Sequence, residues 1–476
     1  MESINKKRRI YGEHLTPIKI FKEFILPEIE DKIYDHIWVD LFAGSGNLIL
    51  PILELIPEKE KINFFENHIF LFDIQKEFVE QAIFNSMKYG IPKEIAEKNI
   101  IQRDTIKDYP KFLFNLELPI YHITNPPYLY IGYIVKNKET QEYLEYFKGI
   151  YQGYQDLYQL ALINDLHNEI KNMIYIIPSN FLFGYSVSNK IRNDFLKYYL
   201  IKKAYIFEKD IFEYTGTNVV ICFFERKDFP KNEPITFEGI KINNEVKKRI
   251  YTLTPKNHYR AGNEFEEFVN NNQSLKPLKI EYYLTIEDVK KNNGNNEIEV
   301  IDVNAYDGKK YKNIKIYVND DLFKKIKSNI LFVRTLDTGN IYGRVGLYKI
   351  RDAFGVDGIL VSKAKFRTHP IQIFIEPLLT YEEQTLLMNY FNIVLEYFRE
   401  KTDSEFMTTY KYSNSAYTRK YLGLSQVKKL IQTFPWLELN NDERIKLMNL
   451  VKNKDVEEVI SFIEKKKEKR GLKLWD

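Results

Sequence analysis

VDLFAGSGNL, residues 39–48, runs from an apolar strand into a turn of small residues. Glycines at 44 and 46 let the backbone turn tightly and approach a ligand before the next helix begins. The spacing Asp40-x-Phe42-x-Gly44-x-Gly46 therefore suits a nucleotide-like ligand at the carboxyl end of a strand. A pyrophosphate fingerprint would need a third glycine and an acidic residue about 20 positions on, and neither is cleanly present. Instead, Asp73 closes the next apolar run ("IFLFD", 69–73) and Asp104 the one after it ("IIQRD", 100–104). At Asp73 a carboxylate can accept both hydroxyls of a ribose, with Ile74 against a base; at Asp104 it can accept from an exocyclic amine. One aspartate in such a place is ordinarily a helix cap or turn former. Three at successive strand ends, with Gly-x-Gly at the first, outline an adenosine-containing cofactor site without phosphates.

Outward from this loop, the first 230 residues alternate apolar runs with amphipathic helical stretches, the pattern of a parallel α/β sheet. Strands are predicted at 36–42, 68–73, 99–104, 120–125, 173–178, 202–208 and 218–226, giving a Rossmann-like sheet of seven. In a doubly wound sheet of this kind ligands bind beyond the carboxyl ends of the strands. Past residue 226 the sequence turns polar and rich in Asn and Lys, so a domain boundary is expected near 230, with loops at 257–273 and 289–297. Residues 231–476 read as a mixed α+β domain, with short strands at 313–318, 329–334, 358–362 and 371–377 before a helix over 380–400.

The fourth strand ends in "YHITNPPYLY", 121–130. Proline cannot donate to a sheet ladder, so Pro126 and Pro127 lie past the sheet and stop it. Each also holds the residue before it extended, which fixes Asn125 and Pro126 at the sheet edge. The Asn125 side-chain oxygen and the Pro126 carbonyl can then converge as two acceptors beside the planar face of Tyr128. Such a pocket fits an amino group on a planar ring. An abrupt turn with a packed tyrosine would account for one proline, but poorly for the whole of Asn-Pro-Pro-Tyr.

Composition bounds what else the chain can be. It has 476 residues, 44% hydrophobic and 29% charged, and no apolar run near the roughly 20 residues of a membrane span. No secretory signal is expected, because the basic N-terminus is not followed by an apolar stretch. One cysteine and seven histidines, with no metal-ligand spacing, point away from disulfides and metal and toward a cytoplasmic protein. The net charge of +4 is unevenly spread: residues 1–250 carry 33 Lys and Arg against 35 Asp and Glu, and 251–476 carry 37 against 31. Between about 301 and 429 Lys and Arg alternate with Tyr and Phe, which suits a nucleic-acid groove and equally a solvated lysine-rich face.

Taken together, "NPPY" at 125–128 and "DLFAGSG" at 40–46 resemble the S-adenosylmethionine-dependent DNA adenine-N6 methyltransferases of the restriction-modification type, in the branch with cofactor motifs first. The resemblance covers roughly residues 8–226. "GEHLTP", 12–17, is similar to the family's N-terminal motif, which implies that Thr16 touches the methionine end of the cofactor; a plain helix start is the alternative. "IFEYTGTNVVICFFE", 211–225, is similar to the late motif whose aromatic residue stacks on the extruded base, a role that fits Phe212 and leaves Tyr214 open. The resemblance implies Asn125, Pro126, Pro127, Tyr128 and Phe212 as catalytic residues. For S-adenosyl-L-methionine it implies Thr16, Asp40, Phe42, Gly44, Gly46, Asp73, Ile74, Asp104 and Asn125, with no metal. It also implies double-stranded DNA as partner, the enzyme acting as a monomer upon it, and a cognate restriction endonuclease for the same site. Residues 231–476 would then be the target-recognition domain, with Arg334, Arg344, Lys363 and Arg367 as candidate base readers. The distance from Asp40 to Asp73 exceeds the family's usual spacing, which implies that the first helix and the loop after it, 55–68, are extended. Asn-Pro-Pro-Tyr also occurs in release-factor glutamine and ribosomal-RNA guanine methyltransferases. The N-terminal motif and the long basic C-terminal part separate this chain from them. A non-catalytic DNA-recognition subunit is a further reading, disfavoured by the intact motifs.

Overall fold

The computed structural model describes residues 16–184, 186–208, 218–243, 245–337, 343–363, 370–404 and 421–472, in two compact units. In the first, all seven expected strands are present: β1 (Ile37–Asp40), β2 (Ile69–Asp73), β3 (Ile100–Gln102), β4 (Ile120–Thr124), β5 (Asn172–Pro178), β6 (Tyr199–Phe207) and β7 (Val219–Arg226). β1 lies parallel between β2 and β4, with β3 outside β2 and β5 outside β4, while β7 inserts antiparallel between β5 and β6. The order reverses at the β1/β4 pair, the switch point where a crevice opens at the strand ends. β1 and β2 are buried at every residue, as parallel strands covered on both faces must be. Helix α1 (Lys76–Lys88) covers the sheet with Val79 and Ala82, and α2 (Leu157–His167) is buried from Leu157 to Asp165.

The sheet then continues where an end was expected. β8 (Ile235–Ile242) pairs parallel with β6, and β9 (Val246–Leu253) antiparallel with β8, giving nine strands rather than seven. The first unit accordingly runs through Ala261, past the boundary expected near 230. The edge strand needs apolar side chains on little of its surface: β9 buries only Tyr251 and Leu253, so its sequence reads as polar and irregular.

The second unit holds two four-stranded sheets. One has β10 (Lys279–Tyr282), β14 (Leu331–Arg334), β15 (Gly346–Lys349) and β17 (Ile371–Glu376); the other has β11 (Leu284–Thr285), β12 (Asn296–Tyr306), β13 (Tyr311–Val318) and β16 (Gly358–Val361). The helix expected over 380–400 is α3 (Tyr381–Lys401), started by a capping box between Thr380 and Glu383. It buries Leu387, Phe391 and Val394 in one core with Val333 and Ile373. Within the loop expected at 257–273 lies a helix, Glu264–Asn271, whose Phe265, Phe268 and Val269 are buried. Those three positions have helical spacing, masked by the polar residues around them.

Candidate active site

The switch point is tied together by Asp40, which is 1% exposed. Its Oδ1 accepts from the backbone N–H of Phe42 at 3.0 Å and from the Thr124 hydroxyl at 2.6 Å. Asp40 thus couples the start of the glycine loop to the residue just before Asn125. Burial pushes its carboxyl up to about 6, against the lowering effect of the Thr124 bond and of His122. Gly44 and Gly46 have φ of 51° and 82°, the left-handed region that favours glycine. Gly44 N–H donates to Asp73 Oδ2 at 2.9 Å, and Gln75 N–H donates to Asp73 Oδ1 at 2.9 Å. Asp73 is 9% exposed, and burial raises its carboxyl above the ordinary range.

Asn125 is gripped at both ends of its amide. Its Nδ2 donates to Thr16 Oγ1 at 3.0 Å, and its Oδ1 accepts from the Tyr128 hydroxyl. A hydroxyl acceptor at Nδ2 and a hydroxyl at Oδ1 suit this orientation of the amide, the single Tyr128 hydrogen lying between Asn125 Oδ1 and the Ile176 carbonyl. Thr16 also accepts, through its backbone carbonyl, from Asn47 Nδ2 at 2.9 Å, joining the glycine loop to the Asn-Pro-Pro-Tyr segment. Tyr128 does not present the open face expected of it: it is 1% exposed, with its hydroxyl 2.8 Å from the Ile176 carbonyl. Its ring is packed edge-on to Tyr158, so it serves as a post behind Asn125.

Asp104 forms a third wall. Its Oδ2 accepts from the Tyr146 hydroxyl at 2.8 Å and its Oδ1 from Lys107 N–H at 3.3 Å. A cavity brings together Phe42, Gly44, Asp73, Ile74, Asp104, Asn125 and Pro127, apolar side chains with a few convergent polar groups, as in small-molecule sites. Thr16, Asp40, Gly46, Pro126 and Tyr128 do not line it; Asp40 and Thr16 support residues that do. Phe212 and Tyr214 lie outside the described residues. Gln75, Phe78, Arg103, Thr105, Ile106, Tyr143 and Tyr146 also line the cavity and escaped the sequence reading. Only Arg103, adjacent to Asp104, and the tyrosine pair of "EYLEY" carried any signal.

Beneath the cavity, His122 and Asp165 are fully buried and hydrogen-bonded through His122 Nδ1. His122 Nε2 accepts from the Leu41 backbone N–H at 3.3 Å, while the Tyr175 and Tyr109 hydroxyls donate to Asp165 at 2.6 and 3.3 Å. Both tyrosines are pushed well above their ordinary pKa by burial and by the Asp165 carboxylate. In the second unit, Arg344 is paired with Glu396 and lies 3.6 Å from Glu400, and the Arg334 guanidinium sits 5.3 Å over the Tyr348 ring. Lys363 is exposed, and Arg367 is outside the described residues.

No curated protein matches the chain. Solved structures that resemble it do so weakly, three of them as follows. The type I restriction-modification system methyltransferase subunit from Streptococcus thermophilus has 17% identity and a TM-score of 0.35, over 52% of this chain and 53% of that one. The type IIG restriction endonuclease BpuSI has 13% identity and a TM-score of 0.39, over 92% and 60%. The type I restriction enzyme EcoKI M protein has 11% identity and a TM-score of 0.32, over 62% and 60%. In each case the chain spans less than two thirds of the matched protein, and likenesses this weak carry no weight for its activity. The family model described as N-6 DNA Methylase, by contrast, matches residues 2–309, a span that contains the whole nine-stranded sheet and every residue lining the cavity, and the chain belongs to that family.

Proposed function

We propose that the protein transfers a methyl group from S-adenosylmethionine to N6 of an adenine turned out of double-stranded DNA. The observation that carries this reading is the two-ended grip on Asn125 at a cavity whose other polar walls are Asp73 and Asp104. These residues fit the cofactor. Asp73 accepts the backbone N–H groups of Gly44 and Gln75 on different oxygens, with Ile74 N–H also close, and the four lone pairs of a carboxylate leave room to accept from a ribose hydroxyl. Acidic walls suit an adenosine without phosphates. Bound there, S-adenosylmethionine supplies an electrophilic methyl on a sulfonium.

The work of the chain is positional. Asn125 Oδ1 and the Pro126 carbonyl accept the two hydrogens of the target amine, drawing its nitrogen toward tetrahedral geometry and aiming its lone pair. Thr16 and Tyr128 keep the oxygen of Asn125, rather than its NH2, on that side. Extruding the base costs a few kcal/mol, and stacking on Phe212 returns about 1–3 kcal/mol. On this reading residues beyond the first unit recognise the DNA sequence. The enzyme acts on DNA as a monomer in the cytoplasm, as the protective half of a restriction-modification system whose cognate endonuclease cuts the same site.

Purified protein incubated with labelled S-adenosylmethionine and mixed-sequence DNA should yield N6-methyladenine, and sequencing of the modified DNA should give one recognition site. Label confined to protein or RNA would reject the reading in favour of the release-factor or ribosomal-RNA alternatives.

A further inference from the structure

Tyr146 belongs to a short helical segment, Lys138–Phe147, that follows the catalytic motif. Its hydroxyl donates to Asp104 Oδ2 at 2.8 Å, and both residues line the cavity. A phenol has one hydrogen and two lone pairs. With its hydrogen committed to Asp104, Tyr146 Oη can act toward a ligand only as an acceptor. Burial and the neighbouring carboxylate raise the phenol above its ordinary pKa, so it keeps that hydrogen. The Lys107 ammonium lies 3.7 Å from Asp104 Oδ2 and 4.6 Å over the Tyr146 ring, touching both partners from the solvent side. Ile74, Phe78 and Ile106 line the same cavity and give an apolar bed for a planar ring.

From this arrangement we infer that Tyr146 and Asp104 form a two-acceptor clamp for the exocyclic amine of the cofactor's purine, selecting a six-amino over a six-keto base. An amine on a planar ring has two hydrogens for the two acceptors. A keto oxygen in that place would face both acceptors with no hydrogen between them, leaving buried polar groups unpaired. The inference rests on the S-adenosylmethionine reading and adds to it a base-selecting residue supplied by the segment after the catalytic loop.

The test is titration calorimetry of the full-length protein with S-adenosylhomocysteine and with S-inosylhomocysteine, which differ only in the six-position group and the hydrogen that the keto form carries on N1; Tyr146→Phe isolates the six-position contact. The parent should prefer the adenosyl compound. Tyr146→Phe, which removes only the oxygen, should reduce that preference by about three- to ten-fold, the value of one neutral hydrogen bond. Asp104→Asn should collapse or reverse the preference, because an amide can turn its NH2 toward a keto oxygen. Circular dichroism identical to the parent's shows that each variant is folded. An unchanged preference in Tyr146→Phe, or a parent that does not discriminate, overturns the clamp while leaving the cofactor reading standing. A parent that binds neither compound overturns the cofactor reading and the clamp with it.

Discussion

The two ends of the Asn125 amide meet partners of opposite kind, and that separates orientation from binding. Asn125→Ala is expected to abolish methyl transfer while leaving S-adenosylhomocysteine affinity within about three-fold, because the ribose and amine contacts assigned to Asp73 and Asp104 are untouched. Calorimetry beside a turnover assay checks both halves. Thr16→Val removes the acceptor for Asn125 Nδ2 at nearly constant volume. It should lower kcat by about ten-fold, the value of one hydrogen bond that holds a reacting group, whereas Thr16→Ser should restore it. Asp40 makes a different prediction. Its folded pKa of about 6 lies above the ordinary value near 4, so between those values the folded state binds more protons than the unfolded one. Stability contributed by Asp40 is therefore present below pH 4 and lost as pH rises through 6. Asn at 40 can accept the same two hydrogen bonds without ionising. The stability of Asp40→Asn relative to the parent should improve by about 2–3 kcal/mol between pH 4 and pH 7, measured by urea denaturation at each pH.

At the scale of elements, the site depends on how two strand ends are held. A Cβ at Gly46 would lie 2.6 Å from Leu50 Cδ1, and its φ is 82°. Gly46→Ala should cost about 1–3 kcal/mol of stability and weaken S-adenosylhomocysteine binding, since the same loop carries Gly44. Below it, Asp165 accepts from His122, Tyr109 and Tyr175 at once. Asp165→Ala strands those donors in the core and should cost about 3 kcal/mol or more, as buried polar networks do when one member is lost. Strands β1, β2, β4, β5 and β7 were legible because strands buried on both faces leave near-continuous apolar runs. β9 and the helix Glu264–Asn271 were not, because each buries one narrow face and shows solvent a polar one; β8 is mostly buried, but Thr236, Glu238, Gly239 and Lys241 break its apolar run.

Across the whole molecule, each unit has its own buried core, the second built around Val333, Ile373, Leu387 and Phe391. A scanning calorimetry trace should therefore resolve two transitions. S-adenosylhomocysteine at 100 times its Kd should stabilise the unit with the nine-stranded sheet by about 2.7 kcal/mol and leave the other where it was. The amino-acid sequence by itself determined the chemistry: Asp-x-Phe-x-Gly-x-Gly, two further strand-end aspartates and Asn-Pro-Pro-Tyr are local patterns whose backbone consequences follow from residue type. It also located the first seven strands along the chain, while their order in the sheet came from the tertiary structure. Only the tertiary structure decided which of those residues face the cavity and which stand behind it. Asp40, Thr16 and Tyr128 became supports because their partners lie 84, 109 and 48 residues away along the chain, and Tyr146 became a wall through Asp104, 42 residues distant. Contacts over such separations arise when the sheet closes, and no spacing within a motif records them.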